Sequence, residues 1–133
     1  MLHRIAIPLL ATVFLASPVV AESMPFAGTW TTSTKNCQTA RRTGRYANDT
    51  MRISAKGFRW HESSCRIVKT VPGRMAPPDV WHLRLSCSGE GETWTRDMVL
   101  VLRVKKVRRG WQYANRLVTV EPDGTAYRYV RCK

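Results

Sequence analysis

The chain has 133 residues, 22 Lys and Arg against 9 Asp and Glu for a net charge of +13, and four cysteines. That length fits one domain rather than several, and the charge favours anionic partners while disfavouring association with basic proteins. No segment carries the roughly 20 consecutive apolar residues that a membrane-spanning helix needs.

At the start, His3 and Arg4 precede an almost unbroken apolar run, Ile5–Ala16, and Val19-Val20-Ala21 offers the small or modest residues that a signal peptidase reads. This pattern predicts a secretory signal peptide over 1–21, cleaved between Ala21 and Glu22. The first cysteine after that point is Cys37, so a lipid-anchored terminus is not expected. Residues 22–133 are then a single secreted β domain, periplasmic or extracellular, with a charge of +12 once Arg4 has left. In an oxidising compartment its cysteines serve as staples. Cys37, Cys65, Cys87 and Cys132 lie far from any C-x-x-C spacing, which favours two disulfides over metal ligation.

Period-two alternation dominates the remainder and helical periodicity is nearly absent. Thr29–Ser33 is a first strand, followed by a polar, basic loop over Thr34–Asn48 that holds Cys37, Arg41, Arg42 and Arg45. Thr50–Ala55 and Phe58–Glu62 flank Lys56-Gly57, a two-residue hairpin turn in which the glycine supplies positive φ. Cys65–Val71 and Asp79–Ser88 flank Pro72–Pro78, whose prolines and glycine prevent regular pairing. Ser88-Gly89-Glu90-Gly91 turns the chain into Glu92–Val104, and Lys105–Gly110 is a basic turn leading to a short strand, Trp111–Asn115. Arg116–Glu121 and Thr125–Cys132 close the domain across Pro122-Asp123-Gly124. About eight short strands with regular turns predict an all-β fold, an antiparallel meander closed as a small barrel or laid out as a two-sheet sandwich. Closure removes aggregation-prone edges and favours the barrel.

Alternation also assigns faces. Trp81, Leu83, Leu85 and Cys87 share one face of their strand, with His82, Arg84, Ser86 and Ser88 on the other. Trp94, Met98, Leu100, Leu102 and Val104 line one face of the next strand, while Val99 and Val101 make its opposite face apolar too. A strand apolar on both faces is covered by a loop or lies at a contact. Trp30, Trp60, Trp81, Trp94 and Trp111 are expected to supply much of the core that a small β domain needs. Pairing the strands about residue 75 or 76 sets Cys65 opposite Cys87 and leaves Cys37 for Cys132; Cys37–Cys65 with Cys87–Cys132 is the competing arrangement.

Gly28-Thr29-Trp30 resembles the G-x-W opening of lipocalin-like barrels and of small bacterial metalloprotease-inhibitor barrels. The resemblance implies a barrel whose base is plugged by Trp30, with Arg131 or Arg128 stacked across the ring. The lipocalin T-D-Y motif has no counterpart here, and Glu22-Ser23-Met24-Pro25 stand where the inhibitors carry their protease-reaching trunk. Phe26–Trp30, Cys65, Cys87-Ser88-Gly89-Glu90-Gly91-Glu92-Thr93-Trp94 and Tyr129-Val130-Arg131-Cys132 look like a group of small secreted bacterial proteins. That likeness implies the stapled domain and no particular activity.

Catalytic patterns are weak. Glu90, Glu92 and Asp97 are the one local group of carboxylates, but a glycine turn and a strand start make them solvated turn residues rather than a glycosidase pair. Ser88–Gly91 lacks the lysine and the strand–loop–helix setting of a phosphate cradle. His61 and His82, even with Glu62, alternate onto the face opposite Trp60 and Trp81, which suits surface histidines rather than zinc ligands. Ser63 and Ser64 have no nucleophile elbow. No enzyme activity, cofactor or metal is expected. The sharpest feature is Lys105-Lys106-Val107-Arg108-Arg109. Together with Arg41, Arg42 and Arg45 it is a candidate clasp for lipopolysaccharide, nucleic acid or another acidic polymer, and Trp111 and Tyr113 could stack on bases or sugars. The alternatives are an inhibitor or partner of an extracytoplasmic hydrolase, and a barrel holding a small apolar ligand in an internal cavity.

Overall fold

The computed structural model describes residues 24–133, so the expected leader and its cleavage point lie outside the described residues. Eight antiparallel strands follow one another around a closed barrel: β1 (Gly28–Thr31), β2 (Met51–Ser54), β3 (Gly57–Arg59), β4 (Ser63–Pro72), β5 (Val80–Gly89), β6 (Glu92–Val107), β7 (Gly110–Val120) and β8 (Ala126–Cys132), which returns to pair with β1. The barrel is therefore the form taken, and the sandwich is not.

One expectation fails at once. Residues 34–43 are not loop but a helix, α1 (Thr34–Thr43). Ser33 caps its start in an extended conformation, its hydroxyl accepting from the Asn36 amide, and Gly44 ends it at φ 69°, donating its N–H to the Ala40 carbonyl. Arg41 and Arg42 stand in the last turn, where the helix dipole favours positive charge. Only Cys37 and Ala40 are buried on this helix, a stripe too narrow to register as periodicity. The helix lies against β8 and β1 on the outside of the barrel.

The interior is filled by side chains from every strand. Trp30, Phe26, Phe58, Met51, Leu85, Leu100, Leu102 and Leu117 are fully buried, with Trp81, Leu83 and Met98 nearly so. Each large apolar residue so placed contributes about 1.5–3 kcal/mol. They occupy the volume that an internal ligand cavity would require. The tryptophan expectation is corrected in part: Trp30 and Trp81 are core, Trp60 is half-buried, but Trp94 and Trp111 are 40% and 57% exposed.

Both disulfides follow the pairing derived from the hairpin. Cys65 and Cys87 are directly opposite on β4 and β5 and face inward, and Cys37 of α1 joins Cys132 at the end of β8. At the barrel base, Trp30 donates through its indole N–H to the Phe26 carbonyl at 2.9 Å. The Arg131 guanidinium lies 4.4 Å from the Trp30 ring centroid and donates to the carbonyls of Pro25, at 2.6 Å, and Ala27, at 3.2 Å. Arg131 fills this role; Arg128 faces outward. At the opposite end Arg96 forms a two-pronged pair with Glu121 and covers Trp60, which stacks on Phe58.

Candidate anion-binding surface

The β6–β7 hairpin is longer than its sequence suggests. The stretch 105–110, expected as a turn, continues the ladder: Lys105 pairs with Gln112, Lys106 with Trp111 and Val107 with Gly110, leaving only Arg108 and Arg109 at the tip. The expected separate strands 111–115 and 116–121 are one strand, broken in register between Leu102 and Val104 by a bulge. β6 pairs with β5 only as far as Val101, and β7 pairs with β8 only from Arg116. The residues between pair only with each other, so a two-stranded arm projects past the barrel. Tyr113 braces its root, tilted against Trp81 and donating its hydroxyl to the Pro78 carbonyl at 3.0 Å. Burial pushes the Tyr113 phenol above its ordinary range, so it stays a donor.

Lys105, Lys106, Arg108 and Arg109 are all exposed on this arm. Directly paired residues share a face, so Lys106 and the exposed Trp111 stand side by side while Lys105 and Gln112 project from the other face. Among the described residues the ion pairs are Arg84–Asp97 and Arg96–Glu121, and neither uses a cation of the arm. Arg41, Arg42 and Arg45 belong to a different element, on and just past α1. Arg41 donates to the Lys133 backbone carbonyl at 3.3 Å. The seven candidate cations thus form two groups on separate elements, α1 lying on β8 and β1 rather than on the arm.

The other candidates are dispersed. Asp97 is held by Arg84 at 2.9 Å, and this hydrogen bond keeps its carboxyl below the usual range. Glu90 sits in the β5–β6 turn at φ 49°, and Glu92 opens β6. His61 lies in the β3–β4 connection and His82 on the outer face of β5. No group of three or more His, Cys, Asp or Glu is placed to hold a metal among the described residues.

Comparison of the chain with protein-family models, with curated proteins and with solved structures returns no match. Function must be read from the surface itself.

That surface holds one feature the pattern only half disclosed. On the outside of the barrel, Val101 of β6 lies directly opposite Val118 of β7, with Val130 of β8 diagonal to it across Arg116. These valines line a groove of about 640 Å³ whose other lining includes Arg103, Arg116, Arg128 and Thr32. The doubly apolar character of β6 was the readable signal; the arginines come from three neighbouring strands, β6, β7 and β8, whose pairing gathers them around one depression.

Proposed function

We propose that this protein is a non-catalytic binding module of the periplasm or extracellular space, which docks on an anionic polymer or envelope surface through the β6–β7 arm. The observation that carries this reading is the arm itself: four exposed cations without carboxylate partners among the described residues, raised beyond the barrel beside an exposed tryptophan. Cations so placed keep their hydration and field until an anion displaces the counterions, giving affinity that falls steeply with salt. Tyr113 anchors the arm at its root, beside the register shift between Leu102 and Val104. The continuous ladder from Val104 to Val107 presents its charges in a defined array. Trp111 adds a flat apolar surface of the kind that stacks on bases or sugars or seats at a membrane interface. Two disulfides fit an oxidising location and the cleaved leader read from residues 1–21.

The alternative reading as a trunk-bearing hydrolase inhibitor receives less support. Residues 25–27, directly before β1, are held down, with Phe26 buried and the Pro25 and Ala27 carbonyls bound by Arg131.

The test is titration of the purified protein with single-stranded oligothymidylate and with lipopolysaccharide over a range of salt, following tryptophan fluorescence. The quadruple variant Lys105→Gln, Lys106→Gln, Arg108→Gln, Arg109→Gln should lose most of the affinity. Its log K against log salt slope should be shallower by about 3 for the oligonucleotide, from roughly 0.7 per lost phosphate contact. Unchanged affinity in that variant, or binding that ignores salt, would refute the proposal.

A further inference from the structure

A groove lies on the barrel wall, apart from the residues at the tip of the arm. We propose that the groove across the outer faces of β6, β7 and β8 binds a single-chain amphiphilic anion. Its hydrocarbon tail lies on Val101, Val118 and Val130, and its phosphate or carboxylate head is held by Arg103 and Arg116, with Arg128 along the side.

Three observations combine. The first is shape: at about 640 Å³ the groove falls within the range of small-molecule sites. Its floor is aliphatic, and the valines are only half covered, so they keep unfavourable contact with water. Adjacent strands are about 4.8 Å apart, so the valines span about 10 Å from β6 to β8, the reach of a chain of about eight carbons. The second is charge. Arg103, Arg116 and Arg128 are exposed, take part in neither ion pair among the described residues, and converge on one depression from three strands. Guanidinium forks suit the oxygens of phosphate and carboxylate, and an anion between them would relieve their repulsion. The third is position. Arg103 and Arg116 both fall within the register shift between Leu102 and Val104 at the root of the arm, where neither has a partner in the β6–β7 ladder and a bulge re-aims side chains.

The same features disfavour other occupants. Apart from Tyr129, which sits on the inward alternation of β8 with Arg131, the lining has no aromatic residue on which a base could stack. Over the valines β7 is paired on both sides, leaving no free edge there for an added peptide strand. An aliphatic chain with a charged head matches both halves of the lining.

The experiment is a calorimetric and NMR titration of the oxidised protein with hexyl, octyl and decyl phosphate, each below its micelle-forming concentration, with inorganic phosphate and an acidic peptide as comparison probes. Affinity should rise from hexyl to octyl by as much as about fourfold per methylene, the full-burial limit, and level off near ten carbons, with shifts centred on the methyls of Val101, Val118 and Val130. Arg103→Gln with Arg116→Gln should weaken octyl phosphate tenfold or more, and Val118→Thr should remove most of the chain-length dependence. These side chains face solvent, so circular dichroism of the variants should match the parent. The variant neutralised at Lys105, Lys106, Arg108 and Arg109 should bind octyl phosphate nearly as well as the parent, which separates this site from the docking arm. Equal affinity for inorganic and octyl phosphate, insensitivity to the groove variants, a preference for the acidic peptide, or no binding at all would each overturn the proposal.

Discussion

Replacing Arg131 by alanine tests the view that the barrel base is held by a partly buried cation rather than by Trp30 alone. The guanidinium makes two hydrogen bonds, at 2.6 and 3.2 Å, to the carbonyls of Pro25 and Ala27, and covers the Trp30 ring at 4.4 Å. Hydrogen bonds from a charged donor contribute about 1.5–3 kcal/mol each, and a partly desolvated cation–π contact about 0.5–2 kcal/mol. Against this, the Arg131 Nε is buried without a partner, a cost of about 1–3 kcal/mol that the substitution relieves. Burial also pulls the guanidinium pKa below its ordinary value, the mark of incomplete solvation. These terms combine to between about 0.5 and about 7 kcal/mol. Because Arg131 is only partly buried, the net loss should fall in the lower part of that range, about 2–4 kcal/mol, a large share of the 5–15 kcal/mol typical of a domain. In urea, with both disulfides intact, the midpoint should fall by about 1–2 M at the slopes usual for small proteins. Lysine at 131 keeps the charge and one donor but not the planar fork, so its midpoint should lie between the two. An alanine variant within about 0.5 kcal/mol of the parent, or a lysine variant no better than alanine, would refute the argument.

Three further outcomes follow from the same structure. Removing the Cys37–Cys132 bridge by paired serines should cost more than removing Cys65–Cys87, about 5 against about 3 kcal/mol in the chain-entropy model, because the sequence separations are 95 and 22; thermal unfolding of the two variants checks the order, and the reverse order would contradict it. Gly57→Ala would place a Cβ 1.9 Å from the Cys65 carbonyl oxygen at φ +151°, so it should prevent folding or cost more than about 3 kcal/mol, whereas Gly91→Ala, at φ +80° with open space around it, should cost about 1 kcal/mol. Burial holds the Tyr129 phenol above its ordinary pKa of 10.0; the stabilisation is complete below that value and declines as pH rises through the folded-state pKa, because the unfolded chain ionises first. Tyr129→Phe should therefore flatten the alkaline limb of a stability–pH profile, and an unchanged limb would count against this assignment.

Much of the barrel was readable because alternation maps directly onto inside and outside. Trp81, Leu83, Leu85 and Cys87 show the period in full, and all four are buried. The Cys65–Cys87 pairing was readable by centring the two strands on residue 76, although the extra residue between Ile67 and Lys69, which shifts the turn-side register by one, was not. Helix α1 was hidden because its signals are caps, Ser33 and Gly44, and not an apolar stripe. The length of the arm was hidden because Lys105 and Lys106 read as turn residues, although a two-stranded ladder carries charge on both faces once it leaves the barrel. Trp94 and Trp111 show that aromatic residues at strand ends need not be core. The groove required the register of two successive hairpins, since Val101 meets Val118 and Val118 meets Arg128 only in the observed β6–β7 and β7–β8 pairings.

The β4 strand carries an extra residue between Ile67 and Lys69, so the two halves of the β4–β5 ladder follow registers that differ by one. A slipped hairpin that used the tip register throughout would send the sulfurs of Cys65 and Cys87 to opposite sides of the sheet, out of bonding range. Oxidation at this pair thus selects for chains whose wall has already zipped correctly, and a protein recovered with the bond in place carries a chemical record of that alignment.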